Sequence, residues 1–135
     1  MTLKTTLTPA EHANVVQGLQ MPLDVTGSQA GAISTGTKQQ FLADGPMAIR
    51  NIRARIGTCG TGAGPSVVEV KKNGAVVASV SIAHDATDPT QLVGLPTTDA
   101  LSKVEAGDLI EIAVSAVATA AADLTATAHL DRRFE

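Results

Sequence analysis

The decapeptide VEVKKNGAVV, residues 68–77, constrains this chain more than any other stretch. Asn73 and Gly74 supply the two positive φ angles that a type I′ turn needs, and that turn joins antiparallel strands with the twist they prefer. The flanking runs SVVEVKK and AVVASVSI carry Val or Ala on both faces. A two-residue turn sets Val70 opposite Val77, Val68 opposite Ser79, Val67 opposite Val80 and Lys71 opposite Val76. One face is therefore expected to build a core, and the other to lie under a further strand, loop or subunit. An isolated hairpin is marginal in water, so the rest of the chain has to supply more sheet.

It does so from residue 37 onward. KQQFLA (38–43) reads as a strand closed by DGP. AIRNIRARIG (48–57) reads as a second, with Ile52, Ala54 and Ile56 on one face and Arg53 and Arg55 on the other. After the hairpin, HDATDPTQLVGLPTTD (84–99) reads as a long polar connection. Gly107-Asp108 turns the chain into a strand with Ile110, Ile112 and Val114 inward. ADLTATAHLDR (122–132) closes the set, with Leu124, Ala126, Ala128 and Leu130 on one face and Thr125, Thr127 and His129 on the other. Six or seven short strands separated by turn signals, with no helical pattern after residue 35, predict an antiparallel β-sandwich.

The first 36 residues read differently. TPAE (8–11) has a capping-box pattern with Pro9 at the first helical position, and Val15, Val16 and Leu19 form a short apolar stripe. A helix of that length is stable only when docked. MPLDVTGSQAGAISTGT (21–37) is rich in Gly, Ser and Thr and reads as an arm or linker. The predicted organisation is an extended arm over 1–36 with at most one short helix, then a sandwich domain over 37–135. The arm is either a tail without fixed structure or a segment that orders on a partner. On the second reading, removal of residues 1–34 leaves a soluble sandwich that no longer binds.

Composition narrows the function. With 135 residues the chain fits one domain burying roughly two-thirds of its unfolded surface. A net charge of -3 argues against nucleic acid as a partner, because phosphate neutralisation needs clustered Lys and Arg. Two Phe and no Tyr or Trp leave no aromatic platform for sugars or bases. The single Cys59 rules out an intrachain disulfide and fits a protein made in a reducing cytoplasm. No secretory signal pattern or run of about 18 apolar residues is present, so a soluble protein without a membrane span is expected.

Chemistry-bearing groups are sparse. The loop GTCGTGAG (57–64) runs into Pro65 and a strand and has no Lys, unlike a phosphate cradle that opens a helix. Cys59 has no base assigned beside it, so a spectator thiol is the simpler reading. His12, His84 and His129 lack ligand spacing, and Asp85 and Asp88 read as turn formers rather than calcium ligands. These readings predict no enzyme, no cofactor, no metal and no small-molecule substrate. Arg50, Arg53 and Arg55 on one strand are either solvated charges or contacts to an acidic partner surface.

The strand IRARIGT, the loop GTGAGPS, the hairpin VVEVKKNGAVV, then VEAGDLIEIAV and ADLTATAHLDR together resemble β-sandwich proteins of tailed-bacteriophage virions, of the capsid decoration (cement) type. The resemblance spans about residues 37–132 and rests on Lys-Asn-Gly and Ala-Gly-Asp turn chemistry. It implies a jelly-roll-like fold, often a homotrimer, with no cofactor or catalytic residue. It also implies binding to the major capsid protein on the outside of a phage head, bridging neighbouring subunits, after synthesis in the host cytoplasm. On that reading Val15, Val16, Leu19, Leu23 and Val25 are arm contacts, and Arg53 and Arg55 are polar contacts. A tail or fibre-tip module binding a host is the alternative.

Overall fold

The computed structural model describes residues 22–133. The chain runs through β1 (Pro22–Ala32), β2 (Gly36–Leu42), β3 (Met47–Thr58), β4 (Pro65–Lys72), β5 (Ala75–Ala83) and β6 (Thr90–Gly94). A helical turn, α1 (Asp99–Ser102), then leads to β7 (Lys103–Val104), β8 (Leu109–Ala116) and β9 (Ala122–Arg132). The pairing is that of one long hairpin rolled up. β1 pairs with β9, β2 with β8, β3 with β6, and β4 with β5, all antiparallel. Rolling also lays β9 against β3 and β8 against β4. Two sheets result, β1-β9-β3-β6 with β7 beside β3, and β2-β8-β4-β5. This is the antiparallel β-sandwich expected from the sequence.

Aliphatic residues from both sheets fill the space between them. Ile52, Ile56, Ile112, Val68, Val70, Val77, Ile82 and Leu130 are fully buried, and Phe41 packs half-buried at the margin. The inward residues of β3, β8 and β9 are those the alternation predicted. β3 adds one device. A bulge at Arg50 shifts its pairing with β9, so Met47 and Ile49 point inward before the bulge and Ile52, Ala54 and Ile56 after it. The extra residue flips the alternation, which keeps Arg50, Asn51, Arg53 and Arg55 off the core.

Four expectations are corrected. Residues 22–32, placed in the arm, form β1 and run antiparallel along β9 from Pro22↔Asp131 to Ala32↔Ala122. The sandwich thus includes residues 22–32, well ahead of residue 37. Leu23 and Val25, taken as arm contacts, are half-buried against the fold's own core. The next inward position is Gly27, where a Cβ would stand 3.0 Å from Lys38 Cβ and 3.2 Å from Gln39 Cβ of β2. The close approach of β2 leaves little room for a side chain there, and glycine erases the apolar alternation that marks a strand. The remaining arm contacts, Val15, Val16 and Leu19, and the helix predicted near them lie outside the described residues.

The hairpin register is the second correction. Asn73 and Gly74 adopt φ 51° and 85°, as the turn requires, and Lys71 faces Val76. Beyond that a bulge at Val77 shifts every partner: Val70 faces Ala78, Val68 faces Val80 and Val67 faces Ser81. The extra residue lets Val77 and Ala78 both be buried and then turns Val80 and Ile82 to the core. Third, the connection 84–99 contains β6. Fourth, Thr98 caps α1 by accepting a hydrogen bond from Leu101 N at 3.2 Å, a single turn of helix where none was expected.

The two predicted turns are tied to each other. Asn73 Nδ2 donates to Asp108 Oδ1 at 2.9 Å, Leu109 N donates to Asn73 Oδ1 at 2.9 Å, and Glu105 N donates to Asp108 Oδ2 at 2.8 Å. The Glu105 amide, the Asn73 amide and the nearby Lys72 charge hold the Asp108 carboxyl below its ordinary range. Its folded pKa is depressed, so its stabilisation is present above the normal carboxylate range and lost as pH falls through the folded value. Asp108→Asn is expected to cost about 1 kcal/mol at neutral pH, discounted for solvent exposure. Denaturant titrations should show that difference shrinking on acidification. A pH-independent difference would count against the charge-assisted network.

Candidate functional site

The outer face of the β1-β9-β3-β6 sheet gathers the polar groups that the inner face excludes. Register sets them in rows across the strands. Asp24, His129 and Asn51 form the first. Thr26, Thr127, Arg53 and Val93 form the second, and Ser28, Thr125, Arg55 and Gln91 the third. His129 Nδ1 lies 2.5 Å from Asp24 Oδ1, and Thr26 and Thr127 hydroxyls meet at 3.2 Å. Arg50 Nε pairs with Asp131 Oδ2 at 2.6 Å just beyond the first row. Asp24, Asn51, Arg53, Thr127 and His129 line a shallow depression of about 440 Å³.

Arg53 and Arg55, both predicted as polar contacts, are exposed on this face. Neither has a hydrogen bond or ion pair among the described residues, in contrast to Arg50, Arg132 and Arg133. Beside them β6 ends the sheet, and among the described residues no strand pairs with its far side. Leu92, Val93 and, just beyond, Leu95 are 44%, 49% and 69% exposed, while Pro89–Leu95 contains no charged residue. Edge strands are usually blunted by charge, and this one is not.

Asp24, Asn51, Thr127 and His129 were not assigned to one site by sequence reading. Half of the signal was available, since alternation alone puts Thr127 and His129 on the outer face of β9. Asp24 joins them only because β1, far away in the chain, pairs with β9.

The other constellations resolve into packing. Thr61 N donates to Thr119 O at 2.9 Å, laying the glycine-rich loop on the β8–β9 connection. A Cβ at Gly60 would stand 2.6 Å from Thr119 O, and one at Gly62 2.4 Å from Thr119 Cβ, so these glycines serve close approach. Cys59 is fully buried. Burial pushes its thiol up, a hydrogen bond with Thr90 opposes this and Asp88 reinforces it, so the thiol is a poor nucleophile at neutral pH. Asp88 Oδ1 accepts from Cys59 N at 2.7 Å, pinning the 84–89 loop to the end of β3. Among the described residues no three His, Cys, Asp or Glu side chains converge as metal ligands.

No family model matches the sequence, and no curated protein matches it. Among solved structures, a chain of the cyanophage Pam1 capsid asymmetric unit superposes with a TM-score of 0.51 at 17% identity. The match covers 84% of this chain and 86% of that one, so the likeness is one of fold over most of both chains. Two looser likenesses have TM-scores too low to bear on the argument. A subunit of Bacillus endospore appendages gives 0.42 at 13% identity, covering 87% and 90% of the two chains. The carbohydrate-binding module CBM36 gives 0.39 at 13% identity, covering 80% and 97%. The fold is thus a β-sandwich shared with a phage capsid chain.

Proposed function

We propose that this chain is a structural virion protein that binds the outer surface of a phage head as a decoration protein, bridging neighbouring capsid subunits. The observation that carries the reading is the fold likeness, over most of both lengths, to a chain of a phage capsid asymmetric unit. The sheet face adds to it: two unpaired guanidinium groups beside an uncharged, apolar edge strand suit adhesion to another polypeptide surface. Val15, Val16 and Leu19 retain the role of proposed contacts from the N-terminal segment, and a homotrimer is the proposed assembly on the shell. Each added contact contributes through burial at roughly 25 cal/mol per Å², less the entropy of ordering.

The test is reconstitution. Purified protein is mixed with expanded heads that lack it, and bound copies are counted after sedimentation. Saturable binding to heads and not to isolated tails is expected, and Arg53→Glu with Arg55→Glu should weaken it at least tenfold. Binding to tails alone would favour a fibre-tip module, for which the depression at Asp24, Asn51, Arg53, Thr127 and His129 offers a receptor pocket. Binding to neither would sink both.

A further inference from the structure

Arg53 and Arg55 stand two residues apart on β3, so their Cα atoms are about 7 Å apart on one face. Val93 and Gln91 of β6 are their lateral neighbours in the same rows. The sheet stops there, with one side of the β6 backbone unpaired among the described residues and Leu92 and Val93 exposed. A strand added along β6 would repeat the two-residue period of β3. Its alternate side chains would rise on the outer face, one strand beyond Val93 and Gln91. Long arginine side chains on β3 reach across that gap to carboxylates, and a planar guanidinium takes a carboxylate through two parallel hydrogen bonds.

Building on the decoration reading, we propose that β6 is the docking edge for one extended segment of a partner polypeptide carrying carboxylates two residues apart. Those carboxylates pair with Arg53 and Arg55, while apolar residues between them cover Leu92. Charge complementarity selects this occupant over a second copy of β6, because Thr90–Gly94 holds no acidic residue to meet the arginines. The chain is acidic overall, yet the two guanidinium groups on the outer face beside this edge, Arg53 and Arg55, stand unpaired, which sets the chemistry of the partner. Backbone hydrogen bonds supply affinity in such strand addition and side-chain spacing supplies selectivity.

The experiment uses the full chain labelled with 15N and two synthetic peptides of equal length and charge. One alternates Glu with Val; the other has the same residues with the Glu grouped at one end. The alternating peptide is expected to shift the amides of Thr90–Gly94 and of Arg53–Arg55. It should bind at least tenfold more tightly than the grouped one. Arg53→Ala with Arg55→Ala should remove at least tenfold of that affinity while leaving the thermal transition unchanged, since neither side chain has a partner to lose. Val93→Glu, which sets a like-charged carboxylate on the edge beside Arg53 and against the peptide's own, should abolish binding.

Equal affinity for the two peptides, no binding of either, or shifts centred on β1, β2 or β5 would overturn the proposal. So would light scattering that shows a dimer whose β6 amides shift with protein concentration and not with peptide. Head binding is scored separately. Heads bound without peptide recognition would leave the decoration reading standing and remove only the strand-addition mode.

Discussion

Gly94→Ala is expected to destabilise the protein by about 2–3 kcal/mol, near the top of the range for overpacked sites. At Gly94 the end of β6 crosses directly over β5. A Cβ there would lie 2.1 Å from Ser79 O and 2.7 Å from Ser79 C, with Ile52 Cγ2 at 3.2 Å. The obstacle is backbone, so no rotamer change relieves it, and β6 must lift away from β5. The same contact closes one end of the sandwich, where Thr97 N also donates to Val77 O at 3.0 Å. Tm should fall by roughly 10 °C for a domain of this size. Gly45→Ala is the control, because nothing stands within 4 Å of its Cβ position. Equal melting of the two variants would show that β6 does not press on β5.

Deletion of residues 1–34 is expected to abolish cooperative folding, whereas deletion of residues 1–21 should preserve it. The longer deletion removes β1, and with it the half-buried Leu23 and Val25 and a full edge of hydrogen bonds to β9. Each of those side chains contributes about 1–2 kcal/mol through burial, and each backbone hydrogen bond roughly 1 kcal/mol net. Together they rival the roughly 5–15 kcal/mol by which a domain is typically stable. The loss also uncovers β9, a long central strand, as a new edge open to aggregation. Circular dichroism melts and light scattering of the two truncations decide the matter. A soluble 35–135 fragment with an unchanged sigmoidal melt would show that β1 is dispensable. The same pair of truncations separates folding from binding, since only the shorter one tests the N-terminal segment as a contact.

Much of the sandwich was legible because its central strands obey local rules. In β8 and β9, Ile110, Ile112, Leu124, Ala126, Ala128 and Leu130 alternate with outward residues, and each side of a pleated strand keeps its own environment. Asn73-Gly74 was legible for the same reason, since its φ angles depend only on the turn itself. Strands at the rims were not. β1 carries Gly27 where an apolar residue would betray it, and β6 is five residues long and half exposed, so neither presents a clean period of two. Bulges were equally hidden. The extra residue at Val77 or Arg50 is fixed by what the partner strand and the opposite sheet need to bury, and no neighbour in sequence records that need.

The candidate site divides along the same line. Arg53 and Arg55 were recognisable as outward groups from the alternation of IRARI alone. Their lack of a counter-charge, the pairing of Asp24 with His129, and the open edge of β6 beside them follow from which strands become neighbours when the hairpin rolls up. By itself the sequence determined the class of fold, the inward residues of the central strands and the positions of the tight turns, because those depend on side-chain period and backbone sterics within a few residues. Only the tertiary structure decided that residues 22–32 join the sandwich, which registers slip and which charges meet on the outer face. Those outcomes come from contacts between residues up to about a hundred positions apart, whose energies exist only once both strands lie in the same sheet.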